Sequence, residues 1–420
     1  MADELEIDGT PWWRNVNMAK IEKAQRLSQS QKSASKLASP ASRPTTSAAT
    51  PSESSSAAAA PVAPLSYVPQ RRTELSTDGT MEGGKHLDID LEHPEPPRWY
   101  KVISLQKAQR APRIPPGVEE HLNKIMSGIK KCNDAAAKNM TPSADDFTKI
   151  NDGIHRAFFL DLSAMAIRQK GLLYDHRGLP QIFNSTTVDY PWYIKEDAAE
   201  LYIKWWQQDI NPDLFRGIIL GRTKNAKIGR ESAADKLDPK YSRKKGDFRG
   251  NGHLRNGQWW PTQLCAVRDG AHSATVAGIC GRAGEGAFSC VMSGGSYPNI
   301  DKGNEVWYYG TESDDPSRPT DSTQHMIESC KLKTPVRVLR ASKMNTEGPN
   351  DYRPQEGMRY DGLYKVVSYE VKNSARQVHL FHLVREPNQG PIRNSGPEAR
   401  PTSEELDALA KAKIEKKYLA

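Results

Sequence analysis

The chain reads as an α+β protein of several parts: a disordered N-terminal arm, a helical module, and a C-terminal twisted sheet or barrel. Three observations predict this. Residues 28–70 are dominated by Ser, Ala, Pro and Thr. Residues 96–220 repeat apolar side chains at spacings of three and four. Beyond residue 250 the pattern changes to short apolar runs of strand length, separated by glycines and polar turns. Across 420 residues, 37% hydrophobic content and a mean hydropathy of −0.71 imply that part of the chain belongs to no core.

In the arm, residues 1–95, the stretch 28–70 has only Lys32, Lys36, Arg43 and Glu53 as charged residues and too little apolar surface to offset chain entropy. Ahead of it, Trp12-Trp13 with Val16 and Ile21 leaves two readings open, a segment that docks on a protein partner or a frayed helix. The helical module spans 96–221. Behind the start signal Pro115-Pro116, Val118, Leu122, Ile125, Ile129 and Cys132 form one helix face. Ser143 with Asp146 is a capping-box-like start, and Phe147, Ile150, Ile154, Phe158, Leu162 and Met165 predict one continuous helix up to Gly171. A third helix holds Ala198, Leu201, Tyr202, Trp205 and Trp206, whose aromatics are read as packing.

The connector 222–249 carries ten Lys or Arg against four acids. It is either a solvated loop or a site of phosphate contact and nuclear import through Arg243, Lys244 and Lys245. Strands are predicted at 287–292, 305–309, 335–339, 363–367 and 377–383, a spacing that excludes a doubly wound parallel sheet. From the capping box Thr402–Glu405, the segment 396–420 predicts an amphipathic helix through Leu406, Leu409 and Ile414, covering the sheet or lying free.

The net charge of +8 and a pI near 9.0 favour an anionic partner. The five cysteines form no CxxC pair, which argues against a zinc ribbon, a RING or a disulfide framework and for buried free thiols. The absence of an apolar leader and of any run of about 18 apolar residues argues against secretion and membrane spanning, leaving the cytosol or nucleus. A deaminase would need a His-x-Glu and a PCxxC, and neither occurs. His379 and His382 would point to opposite faces of a strand, which rejects them as a metal pair. No enzyme activity and no cofactor are therefore expected.

Three motifs occur in one order: Val276-Ala277-Gly278-Ile279-Cys280-Gly281-Arg282, then Ser293-Gly294-Gly295, then Arg359-Tyr360-Asp361-Gly362-Leu363-Tyr364-Lys365-Val366-Val367. Together they resemble the SRA-YDG family, whose members bind DNA carrying modified cytosine. The resemblance covers about residues 250–390, within a domain expected over 250–395. It implies a twisted β-barrel of the SRA-like, PUA-like kind, duplex DNA with 5-methylcytosine or a related base as partner, and a nuclear, non-enzymatic chromatin reader.

A protein that inspects a whole base must take it out of the stack, at a cost of a few kcal/mol, and needs π-faces to receive it. Tyr297, Tyr308 and Tyr309 flank a Gly-rich loop, and each aromatic platform returns about 1–3 kcal/mol. Gly294 and Gly295 let the main chain approach the base edge. Because Tyr308 and Tyr309 alternate along a strand, only one faces the pocket, and the resemblance chooses Tyr308. Two departures fall at the pocket: the first stacking position is Ser296, and the edge-reading Asp is Asn299. A local bulge would let Tyr297 replace Ser296 as platform. Asn299 offers an acceptor and a donor pair, so it satisfies cytosine, or thymine with its amide flipped. Asp301 and Tyr309 complete the expected base-binding set. Val276 stands at the family's thumb position as an apolar wedge. The finger region, Thr311 to Met326, is short, with Arg318 its only cation, so a preference for hemimethylated CpG is not carried over. The Tyr360-Asp361-Gly362 motif is expected to hold the fold, Gly362 turning the chain into the strand and Asp361 capping backbone N–H groups. His253 is read as a satisfied packing histidine.

Overall fold

The computed structural model describes residues 89–221, 235–295, 297–348 and 351–419. The Trp12-Trp13 segment, the low-complexity stretch, residues 222–234 of the connector and Ser296 lie outside the described residues. From residue 98 the chain forms helices α1 (Arg98–Val102), α2 (Leu105–Gln109), α3 (Pro116–Ala137), α4 (Ala144–Ala157), α5 (Ala164–Lys170), α6 (Pro180–Phe183) and α7 (Trp192–Trp206). Pro116 sits in the first turn of α3, where its missing N–H costs nothing. Of the predicted face, Leu122, Ile125, Ile129 and Cys132 are buried and Val118 is half-buried against the same core. Glycines set how closely α3 and α4 approach: a Cβ on Gly128 would lie 2.4 Å from Ile150 Cγ1, and one on Gly153 2.8 Å from Ile125 Cγ1.

The single helix expected from Ser143 to Gly171 is two. α4 starts as predicted, with Ser143 Oγ accepting from Asp146 N–H at 3.1 Å. It ends at Ala157, and α5 restarts behind Ser163, whose Oγ accepts from Ala166 N–H at 3.2 Å. Apolar spacing continues in phase across the break because Leu162 and Ile167 still face the common core.

The second half contains β1 (Ile218–Ile219), β2 (Lys236–Leu237), β3 (Trp259–Trp260), β4 (Ile279–Arg282), β5 (Gly286–Met292), β6 (Asn299–Asp301), β7 (Glu305–Tyr309), β8 (Pro335–Ala341), β9 (Thr346–Glu347), β10 (Met358–Asn373) and β11 (Val378–Arg385). Helices α8 (Gln263–Arg268) and α9 (Asp321–Leu332) interrupt the strands, and α10 (Ser403–Leu419) follows them. The main sheet runs β4-β5-β8-β10-β11-β7-β6-β9, with β3 also on β10. It is mixed: β5–β8 and β6–β9 are parallel, and the other pairings are antiparallel. Among the described residues no pairing joins β4 to β9: the strands form one mixed sheet, and their pairing does not confirm the twisted barrel expected. Alternation along β8 serves two cores. Val336 and Val338 join Tyr308, Tyr364 and Phe381. Leu339 and Ala341 join Phe248, Trp260 and Tyr360.

The Tyr360-Asp361-Gly362 motif does not sit where expected. It lies inside β10, where the register against β8 shifts between Tyr360 and Leu363 and Gly362 takes φ 100°, a bulge within a strand. Asp361 caps no backbone here. Its carboxylate accepts from Arg340 at 3.0 Å and from Arg359 at 2.5 and 3.0 Å, all three side chains being fully buried. Removing one partner of such a set typically costs about 3–5 kcal/mol, since the remaining charge stays buried.

A second buried ionic set joins α7 to the end of the chain. Asp197 binds Arg393 at 2.5 and 2.8 Å, Arg400 at 2.8 Å and His155 at 2.8 Å. The predicted capping box closes α10: Glu405 N–H donates to Thr402 Oγ1 at 3.2 Å and Thr402 N–H to Glu405 Oε2 at 2.7 Å. With Glu404 on Arg156 and Glu405 on Arg400, α10 covers the helical side and packs on α4. All five cysteines are buried free thiols.

Candidate nucleic-acid interface

Between α8 and β4 the chain forms the loop Ser273–Gly278, and Val276 at its tip is 88% exposed. An apolar side chain so far out of the protein needs a rigid base to act as a wedge, and three side chains hold that base. Gln263 on α8 donates from Nε2 to Ala274 O and Ala277 O, both at 3.0 Å. Buried His272 places Nδ1 2.8 Å from Ser289 Oγ and Nε2 2.9 Å from Ala277 O. Donation to the carbonyl fixes the proton on Nε2, and Nδ1 accepts from the serine. Burial pushes this histidine down to about 4, so it is neutral at physiological pH. Cys280 Sγ accepts from the N–H groups of Ser273 at 3.2 Å and Ala274 at 3.0 Å. Gln263 and His272, which both precede Val276, were not singled out from the sequence, and Cys280 stood there only as a member of the motif that Val276 opens.

Strand β7 presents Val306 and Tyr308 inward and Trp307 and Tyr309 outward. Tyr308 is 6% exposed, its hydroxyl 3.5 Å from Gly278 O and 3.4 Å from Val291 O, beside the foot of the thumb loop. Tyr309 faces the other side, and Tyr297 stacks on it at 5.1 Å between ring centroids and 28° between planes. Glu312 bonds the Tyr297 hydroxyl and pairs with Arg376, holding that ring on the outer face. Tyr297 therefore lies with Tyr309 on the outer face, on the opposite side of β7 from Tyr308. Trp307 makes a further outer stack with His382, 4.6 Å apart and 3° between planes.

Gly294 and Gly295 are exposed, and a Cβ on either would meet no atom closer than 4.0 Å. Asn345, missed in the sequence, staples this loop. Its Nδ2 donates to Gly295 O at 2.8 Å, its N–H to Ser293 O at 3.4 Å, and its carbonyl accepts from Asn299 N–H at 2.9 Å. Asn299 is buried, with Oδ1 accepting from Tyr309 N–H at 2.9 Å. Asp301 does not face a ligand: Arg340 takes both of its oxygens at 2.8 Å, and its side chain is fully buried. It belongs to the Arg340–Asp361–Arg359 set.

The finger region is shorter than predicted because α9 begins at Asp321. The remaining loop is tied down by Ser313 N–H to Arg376 O at 2.9 Å and Gln377 Nε2 to Pro316 O at 2.6 Å. Arg318 projects into solvent beside Asp315, 3.5 Å away. Of the predicted phosphate contacts, Arg243 and Lys245 are exposed. Lys244 turns inward instead, lining a cleft beside Asp269 and Arg216. His253 is half-buried with Nε2 2.7 Å from Asp269 O, and desolvation of its ring pushes it down to about 3.

The family model described as "SAD/SRA domain" matches residues 249–389. This chain carries a SAD/SRA domain. Its thumb loop, glycine pair and β7 aromatics all lie inside the matched segment. Relatives match over the same part: 36% identity over 129 residues to a UHRF1-like protein of Cryptococcus neoformans, covering 26% of this chain and 36% of that protein. Identity is 33% over 140 residues to the E3 ubiquitin-protein ligase UHRF1 of Danio rerio, covering 27% and 18%. The chain thus spans about a third or less of these relatives' lengths, and the ligase name belongs to the whole of the second protein. Among solved structures, a modification dependent TagI restriction endonuclease is 32% identical over 31% of this chain and 50% of that one, with a TM-score of 0.28. A SUVH5 SRA complex with hemi-methylated CG DNA is 24% identical over 33% and 91%, with a TM-score of 0.27. Among the described residues no helix is long and apolar enough to cross a membrane.

Proposed function

We propose that the SAD/SRA domain of this chain binds duplex DNA containing 5-methylcytosine or a related modified cytosine and receives the extruded base between the Gly294-Gly295 loop and Tyr308. In this reading Val276 enters the space the base leaves, Arg243 and Lys245 contact phosphates, and the chain serves as a nuclear, non-enzymatic chromatin reader. The observation that carries it is an 88% exposed valine on a loop clamped at both feet, inside the segment that matches the SAD/SRA family. Unstacking a step costs a few kcal/mol, which an inserted apolar side chain partly replaces. A single inner tyrosine returns about 1–3 kcal/mol, so the contribution of the wedge decides whether extrusion is favourable.

A second reading, modification-independent binding to nucleic acid, is favoured by two features. The second platform expected, Tyr297, is committed to the outer face, and Asn299 already spends its carbonyl on Tyr309. Binding of the full chain to matched duplexes with unmodified, hemimethylated, fully methylated or hydroxymethylated cytosine, at constant salt, separates the two. Salt must be held constant because phosphate contacts dominate affinity in both readings. Val276→Ala is the informative variant. Tyr308→Ala would empty a core position at a cost of about 3–5 kcal/mol and confound binding with folding. A preference for modified duplexes that falls in Val276→Ala supports the reader; equal binding to all four duplexes leaves the second reading.

A further inference from the structure

Where the helical layer meets the SAD/SRA domain, a cleft of about 70 Å³ lies between an apolar wall, including Phe159 and Trp260, and a charged floor. One ordered water needs about 10–15 Å³ on such a measure, so the cleft has room for a group of several atoms. Its acids are all engaged. Asp269 accepts from Arg268 at 2.8 and 2.6 Å and from Trp260 Nε1 at 3.1 Å. Asp209 accepts from Arg216 at 2.5 Å and lies 3.3 Å from Lys204 Nζ. Glu200 and Glu405 are held by Arg400.

Two donors are left over. The Lys244 ammonium makes no ion pair or side-chain hydrogen bond among the described residues, although Asp269, Asp209, Arg216 and Arg268 are all close enough to act on its charge. Arg216, its side chain 91% buried, has an Nε–H with no partner. Both groups only donate, and the acids that attract the Lys244 charge, Asp269 and Asp209, already accept from Arg268 and Arg216. Lys244 is half-buried and Arg216 Nε fully enclosed, so the cleft offers a cation and a buried donor side by side along its lining. The missing counterpart is an acceptor bearing negative charge.

We propose that this cleft is an oxyanion site, in which Lys244 and Arg216 Nε bind a phosphate or carboxylate group. The phosphate has two sources, a small molecule or the backbone of bound DNA, and the chemistry at the cleft is the same for both. Isothermal titration of the full chain with inorganic phosphate tests it, using Lys244→Met and, as control, the exposed neighbour Lys245→Met, with thermal midpoints confirming that both variants fold. Saturable binding is expected in the wild type and in Lys245→Met. In Lys244→Met it should weaken roughly tenfold or more, the loss of one charge-assisted hydrogen bond. A wild type that shows no saturable phosphate binding, or a Lys244→Met variant that binds as well, overturns the proposal. Repeating the titration in the presence of a saturating unmodified duplex identifies the source. Loss of the phosphate heat assigns the site to the DNA backbone, and retention assigns it to a small molecule.

Discussion

Asn299 shows how one backbone contact changes what a side chain can read. Only a carbonyl oxygen can accept the Tyr309 N–H, so the amide orientation is set and the Nδ2 hydrogens are what remain for a ligand. Those donors suit cytosine N3 or thymine O4, and the cytosine amino group finds no free acceptor on the amide beyond the second lone pair of Oδ1. Asn299→Asp supplies two oxygens, one for Tyr309 and one for N4. The selectivity for an extruded cytosine over thymine should therefore rise roughly tenfold, the scale of one good base-edge contact. Competition between duplexes differing only at the target base reads this directly, and an unchanged ratio would show that Asn299 does not face the base edge. Much at this scale was legible beforehand: period-two alternation alone separates Tyr308 from Tyr309. Asp301 was not, because its role is set by Arg340, 39 residues further on. Tyr297 was misplaced for a similar reason, since its ring follows Tyr309 and Glu312 and not the neighbouring glycines.

The thumb loop illustrates the same limit for an element. Val276 is recognisable from the motif it opens, but the loop that carries it is held by Gln263 and His272, whose hydrogen bonds leave no periodic trace. Gln263→Ala removes both donors to the loop carbonyls. Stability should fall by about 1 kcal/mol, and extrusion should weaken while binding to unmodified duplex is retained. A fluorescent base analogue at the target position reports extrusion apart from affinity; the same extrusion yield in both proteins would mean the clamp is structural only. Elements with a local signature were read correctly from composition and spacing: the first turn of α3, the span of β7 and the capping box of α10. The split between α4 and α5 was missed because burial keeps one phase across it, although Ser163 is itself a helix-start residue.

At the scale of the molecule, the junction around Asp197 was invisible in sequence, because its partners Arg393 and Arg400 lie 196 and 203 residues away. Its consequence is a pH dependence that one residue isolates. Burial pushes Glu200 up to about 7 from an ordinary 4.5, against the pull of Arg400. Between about 4.5 and 7 the folded chain then holds a proton there that the unfolded chain has lost, so this residue's contribution to stability falls as pH rises through that window. His253 and His272 act in the opposite sense. Their folded values of about 3 and 4, against an ordinary 6.5, make stability fall as pH drops below 6.5. The wild-type profile mixes both effects, but the histidines are common to wild type and Glu200→Gln and cancel in the difference between them. Glutamine has no proton to lose, so the stability of Glu200→Gln relative to wild type should increase from pH 5 to pH 8, by at most about 3 kcal/mol. Urea denaturation of both proteins at the two pH values measures it. A relative stability that does not change with pH would mean that Arg400 keeps Glu200 ionised throughout, making the junction a fixed ionic clasp between the helical layer and the chain's last helix.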